Sequence, residues 1–140
     1  DTVFTVIDEN LVVTYPDALD SVLRTYVYSK GGEDSEGNVL LDVEVVNESI
    51  TSVLKREVKY LEIIETGAGN PDFSSREQWY DGANVLAVGP RRVISYNRNK
   101  FTNRALREAG VEVIETSSSE LSRGLGGPRC MTMPVERQVF

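Results

Sequence analysis

The residues best suited to chemistry lie together near the C-terminal end, in Arg123-Gly-Leu-Gly-Gly-Pro-Arg-Cys130. Three glycines and a proline shape a backbone that can approach a ligand closely. Two arginines, Arg123 and Arg129, flank the only thiol of the chain, and nearby positive charge favours the reactive thiolate. A thiolate so placed is a nucleophile for covalent catalysis. The bland alternative is an inert cysteine buried at the start of a strand running from Met131 to Val135, since free cysteine is among the most buried residue types. Two carboxylates sit at strand edges. Asp1 opens the first strand directly, and Asp81-Gly82 stands at a matching edge later in the chain. Such groups can bind a cationic substrate, but Asp-Gly is also ordinary turn chemistry, and for Asp81 the turn is the preferred reading. Trp79 and Tyr80 read as core or interface anchors rather than a stacking platform, and Glu33-Asp-Ser-Glu36 as a solvated loop.

The elements that must hold these groups alternate strand and helix. Thr2–Ile7 and Leu11–Tyr15 are β-branched runs around the polar turn Asp8-Glu-Asn10, a hairpin pattern. Asp17 is placed to cap a helix running towards Leu23, Tyr26–Tyr28 reads as a short strand, and Lys30–Asn38 as an unstructured loop. Val39–Val46 is a strand, Glu48–Lys59 has near-helical apolar spacing, and Tyr60–Ile64 closes as a strand. Gly67–Pro71 is a loop and Ser74–Gln78 a helical turn. In the last third, Asn84–Val88 and Val93–Tyr96 form strands around Gly89-Pro90. Thr102 caps a helix through Ala109, Gly110 stops it, and Val111–Glu115 is the return strand.

The two stretches resemble each other at an offset of 81 residues. Val12-Val-Thr-Tyr15 falls on Val93-Ile-Ser-Tyr96, and Phe4–Ile7 on Val85–Val88. Each unit reads strand, turn, strand, helix, strand; the alternative is a chance match between two short hairpins, but a period of this size points to a repeat architecture. The expected fold is α/β, with two related units, roughly 1–65 and 79–135, of a larger assembly, because two units rarely close such an array.

Composition narrows the chemistry further. The 140 residues include one cysteine and no histidine, which excludes a Ser-His-Asp or Cys-His pair, an imidazole zinc site, an internal disulfide and a CxxC knuckle within the chain. A single cysteine fits a reducing, cytoplasmic compartment. The net charge of -7 opposes a nucleic-acid partner. No apolar run is long enough to span a membrane and no secretory leader is visible. Residue 1 is Asp rather than Met, and the expectation is a chain processed, truncated or expressed as a piece of something longer.

Trp79-Tyr-Asp-Gly-Ala-Asn84, Tyr96-Asn-Arg-Asn99 with Thr102-Asn103, and Ser119-Glu-Leu-Ser-Arg-Gly-Leu-Gly-Gly-Pro-Arg-Cys-Met-Thr-Met-Pro134 are separate motifs that, taken in this order, resemble arginine deiminases. Asp1-Thr-Val-Phe-Thr5 is similar to the family strand His-Leu-Asp-Thr-Val-Phe-Thr without its first two residues. The resemblance covers all 140 residues and corresponds to about the last third of a family chain. It implies a pentein fold, a five-bladed α/β propeller of ββαβ units, and hydrolysis of L-arginine to L-citrulline and ammonia without metal or organic cofactor. Cys130 is then the nucleophile, forming a covalent amidino-thioester. Asp1 is one of two carboxylates holding the guanidinium, a pairing that suits bidentate geometry. Arg129 and Arg123 are candidates for positioning the substrate carboxylate or the thiolate, and Gly124 for a backbone contact.

Two departures limit what the resemblance carries. Leu125 stands where many members have a second arginine, and the family's histidine, second aspartate and a glutamate have no counterpart in this chain. The expectation is that the 140 residues alone are inactive, with the missing N-terminal part or a homo-oligomer as partner. The competing readings are a catalytically silent structural or oligomerisation domain and a related pentein enzyme, such as an agmatine deiminase, a dimethylargininase or an amidinotransferase. The Ser-Glu-Leu-x-Arg-Gly…Arg-Cys-Met-x-Met-Pro run favours arginine deiminase.

Overall fold

The computed structural model describes residues 1–21 and 24–136. Its strands and helices form a mixed α/β protein, with two compact units: residues 1–16 with 60 onwards, and residues 17–59.

In the first unit, β1 (Phe4–Asp8) pairs antiparallel with β2 (Leu11–Thr14), which pairs parallel with β5 (Glu62–Glu65). The same order recurs in β6 (Leu86–Gly89), β7 (Arg92–Tyr96) and β8 (Glu112–Thr116). The repeat extends to the irregularities. A bulge falls between Val6 and Asp8 in the first sheet and between Ala87 and Gly89 in the second, so the offset of 81 holds residue for residue. A bulge twists its strand and pins register, so the two sheets carry their side chains to equivalent faces. Those faces share one core of Ile7, Leu11, Val13, Val85, Val93, Leu106 and Val111. Each such side chain contributes about 1.5–3 kcal/mol on burial.

Helix α4 (Lys100–Glu108) crosses from β7 to β8 with Thr102, Asn103 and Leu106 buried, a spacing of three to four residues that puts them on one stripe. Thr102 is not its cap. The helix starts two residues earlier, and the Glu77 carboxylate accepts from the Phe101 and Thr102 N–H groups and from the Thr102 hydroxyl at 2.9, 2.8 and 2.6 Å. Gly110, at φ +79, ends it as expected. Arg91 ties the turns of the two sheets together, with its guanidinium 3.5 Å from Asp8, 3.3 Å from Glu62 and donating to the Ala109 carbonyl at 2.7 Å.

Helix α3 (Pro71–Gln78) is longer than the turn expected at 74–78. Asn70 Oδ1 accepts from the Asp72 and Phe73 N–H groups, and Pro71 occupies the first turn, where its missing N–H costs nothing. Strand β5 begins at Glu62 rather than Tyr60, which sits at φ +58. Trp79 is 86% exposed, which removes the core reading of that residue.

In the second unit, α1 (Pro16–Asp20) is followed by a two-stranded ribbon and α2 (Ile50–Glu57), capped by Ser49. Val22 and Leu23, the expected end of α1, lie outside the described residues. The ribbon corrects the expected loop at 30–38. Strand β3 (Thr25–Glu33) continues through Lys30 and both glycines and returns as β4 (Val39–Val46). Asp34 organises the turn: Oδ1 accepts from the Glu36 and Asn38 N–H groups at 2.8 Å, and Oδ2 from the Asn38 side chain at 2.9 Å. Those hydrogen bonds, the Asn38 side chain's first, hold the Asp34 carboxyl below its ordinary value. Tyr26 and Tyr28 oppose Val45 and Val43 on one face of the ribbon, and all four are more than half exposed.

Candidate active site

Two segments far apart in sequence meet at Cys130. One is the corner between α3 and β6. After Gln78 the chain turns through residues 79–83, with Asp81 left-handed at φ +59. Gly82 is required there because a Cβ would lie 2.9 Å from the Glu77 carbonyl oxygen. The turn reading of Asp81 therefore stands. Ala83, Asn84 and Val85 are fully buried. The other segment is the glycine-rich loop, which folds over Asn84. A Cβ on Gly127 would sit 2.5 Å from the Asn84 Cγ, so only glycine permits the contact. Tyr96 pins the loop from below, its hydroxyl donating to the Gly126 carbonyl at 2.7 Å.

Cys130 is exposed at the end of this loop, in a turn closed by the Met131 N–H bonding the Gly127 carbonyl at 3.2 Å. The expected strand from Met131 to Val135 is absent; those residues form turn and irregular chain. The buried, inert cysteine is thereby corrected: the loop leaves the thiol open to solvent because its glycines, not a following strand, set its place. Asn84 Oδ1 accepts from the Arg129 and Cys130 N–H groups at 3.0 and 3.2 Å, and Asn84 Nδ2 lies 2.6 Å from the sulfur. The Asp1 carboxylate stands 3.6 Å from the same sulfur. Its segment is fixed by the Gln78 side-chain amide donating to the Thr2 carbonyl and the Thr5 hydroxyl donating to the Asp1 carbonyl at 3.3 Å.

The other candidates are placed less closely. Arg129 is half-buried beside the thiol and forms no ion pair among the described residues. Arg123 is 77% exposed and pairs with Glu120 at 3.2 Å. Gly124 closes a helical turn against Met131, with room for a Cβ at 3.5 Å from its sulfur. Leu125 is left-handed at φ +58 and 94% exposed, a conformation that costs a non-glycine residue about 1–2 kcal/mol. Among the described residues no three His, Cys, Asp or Glu side chains group as a metal site, and no helix is long and apolar enough to cross a membrane.

Burial raises the Asp81 carboxyl above its ordinary value near 3.8. Burial, then the charges of Asp81 and Cys130, push the Tyr96 phenol above its ordinary 10.0, so it remains a donor to the loop at neutral pH. Asn84, Glu77 and Tyr96 were not singled out by residue type. One signal for Asn84 lies in the family-like run Trp79–Asn84 and another in the repeat: it falls on Val3 at the offset of 81, a polar residue just ahead of its strand where the sister sheet has an apolar one.

The arginine deiminase family model matches residues 1–137. The chain is 44% identical over 140 residues to arginine deiminase of Mycoplasma capricolum subsp. capricolum, covering 99% of this chain and 32% of that protein. It is 41% identical over 142 residues to arginine deiminase of Lentilactobacillus hilgardii and 41% over 140 residues to that of Bacillus thuringiensis subsp. konkukian, in both cases covering 99% of this chain and 33% of the relative. The chain spans about a third of the length of these curated relatives. With a match running almost from end to end and taking in Asp1, Asn84 and Cys130 together, the chain belongs to the arginine deiminase family.

Proposed function

We propose that these 140 residues are the nucleophile-bearing part of an enzyme that hydrolyses L-arginine to L-citrulline and ammonia. The observation that carries this reading is the exposed Cys130 sulfur 3.6 Å from the Asp1 carboxylate, brought together from opposite ends of a family-matched chain. A carboxylate there suits a guanidinium, placing its carbon within reach of the sulfur. The thiolate adds to that carbon, one amino group leaves as ammonia, and an amidino-thioester remains. Water then adds, the C–S bond breaks and citrulline departs. The balance is arginine cation plus water to neutral citrulline plus ammonium, so no oxidant or reductant is involved. Arg129, half-buried beside the nucleophile, orients the substrate carboxylate or the thiolate; Arg123 and Gly124 hold subsidiary positions from the rim of the loop.

Proton transfer needs a base, which the family resemblance makes a histidine; the chain holds none, so that group comes from outside these residues. The full site then belongs to a five-bladed pentein propeller, with two blades at roughly 1–65 and 79–135. The equal strand order, register and bulge position of the two three-stranded sheets support this. The partners are L-arginine and the remaining part of the enzyme, in a reducing cytoplasm, with a homo-oligomer as a further option.

The test is citrulline release by a full-length arginine deiminase chain carrying these 140 residues. Cys130→Ala and Cys130→Ser are expected to abolish it, while the 140 residues alone release none. Unchanged citrulline formation in either cysteine variant overturns the assignment.

A further inference from the structure

We infer that Asn84 is a positioning residue for Cys130, orienting its sulfur through the side-chain amide; the catalytic meaning of that role rests on the reading above, its geometry does not. Asparagine oxygen and nitrogen are told apart by their partners. Here the partners decide: two backbone N–H groups, of Arg129 and Cys130, converge on one end of the amide, which must be the oxygen. The NH2 end therefore faces the sulfur, 2.6 Å away, and donates to it. A donor at that place favours sulfur as an acceptor carrying negative charge.

Two consequences follow from the same three bonds. The amide of Cys130 and that of Arg129 are already taken by Asn84, so the backbone of this turn is not what faces the sulfur. Asp1, 3.6 Å from the sulfur on another segment, opposes negative charge there; the Asn84 donor offsets it. Asn84 is fully buried, its peptide N–H is bonded to the Asp81 carbonyl at 3.0 Å, and Gly127 packs flat against its amide. The group that aims the sulfur is thus locked on three sides, as a positioning residue must be. Gln78, the last residue of α3 just before this corner, holds the Asp1 segment, so the end of α3 and the turn after it set both groups.

The test uses the only cysteine of the chain and needs no substrate. Iodoacetamide alkylation of Cys130 is followed at fixed pH in the 140-residue chain as wild type, Asn84→Asp and Asn84→Ala, with circular dichroism melts as the folding check. Asn84→Asp keeps an oxygen for both backbone N–H groups but replaces the donor with an acceptor; its alkylation is expected to slow about tenfold or more. Asn84→Ala is expected to slow it comparably where it folds, and where it does not, Asn84→Asp decides. A folded Asn84→Asp chain alkylated at the wild-type rate overturns the inference. In a full-length family chain carrying the segment, Asn84→Asp lowers kcat with KM within about twofold; a raised KM with unchanged kcat overturns it. Slowed alkylation without any arginine turnover by the wild-type full-length chain would keep the role of Asn84 and remove the deiminase reading.

Discussion

Removing the Glu77 carboxylate should unfold more of this protein than any single change on its surface. Glu77 is 1% exposed and stands at the N-terminus of α4, 23 residues away in sequence from the helix it caps. Three donors converge on it: the Phe101 N–H, the Thr102 N–H and the Thr102 hydroxyl. The helix has no local substitute, because the Asn99 side chain makes no capping bond. In Glu77→Ala two backbone donors and a hydroxyl lose their acceptor inside the protein. Each such loss costs about 1–3 kcal/mol, the two N–H losses being the same bonds that make up the cap, which taken alone is worth about 0.5–2 kcal/mol. Relief of the buried charge's desolvation offsets part of this, which leaves a net loss of about 4 kcal/mol. With a urea slope of about 1.5 kcal/mol per molar, the unfolding midpoint falls by about 2–3 M. Glu77→Gln keeps the volume and one acceptor and should fall between, at about 2 kcal/mol. Urea denaturation followed by circular dichroism measures both. A Glu77→Ala chain within about 1 kcal/mol of wild type would show that the cap contributes little and refute the reasoning.

Gly127→Ala forces a methyl against the buried Asn84 amide, 2.5 Å from its Cγ, and should cost about 1–3 kcal/mol in the same assay. Gly124→Ala, where the nearest atom is the Met131 sulfur at 3.5 Å, is the control and should be near neutral; equal losses at the two glycines would contradict the packing. Asp81→Asn bears on pH. The folded Asp81 carboxyl is raised above 3.8 by burial, so its contribution is fully present below the unfolded value and is lost as pH climbs through the folded one. Asparagine tolerates the left-handed φ of +59 and carries no charge. The variant should melt higher than wild type at pH 7.5, with the gain vanishing below pH 3.8; a pH-independent difference would rule out desolvation as the cause.

What the residues disclose in advance follows from where their partners lie. The hairpins β1–β2 and β6–β7 are legible because β-branched apolar runs need only a turn between them, and Asp8-Glu-Asn10 and Gly89-Pro90 supply it. The sister relation of the two sheets was visible in the same way, down to matched residues. The ribbon was half hidden. Lys30-Gly-Gly-Glu33 reads as loop by composition, yet it pairs with Val39–Leu41 through a bulge, and the ribbon has few buried side chains to impress alternation on its sequence. Local spacing points to Thr102 as the cap of α4, whereas the true cap, Glu77, arrives from another helix, which no local spacing encodes. At the site, Cys130, Asp1 and Arg129 stand out by type and neighbours. Asn84 does not, since its three bonds form only once residues 46 positions apart in the chain are in contact.

The insertion of a whole compact unit into the first repeat also bears on the order of assembly. Strand β7 reaches its parallel partner β8 across one loop and α4, from Tyr96 to Glu112. Strand β2 reaches β5 only after residues 17–59 have intervened. The second connection is roughly three times longer, and closing it costs about 1 kcal/mol more in chain entropy. The sheet that adjoins the glycine-rich loop should therefore assemble first, and β5 should dock late. In pulse-labelled hydrogen exchange, the amides pairing β7 with β8 gain protection before those pairing β2 with β5; the reverse order would mean that the inserted unit folds early enough to shorten the loop.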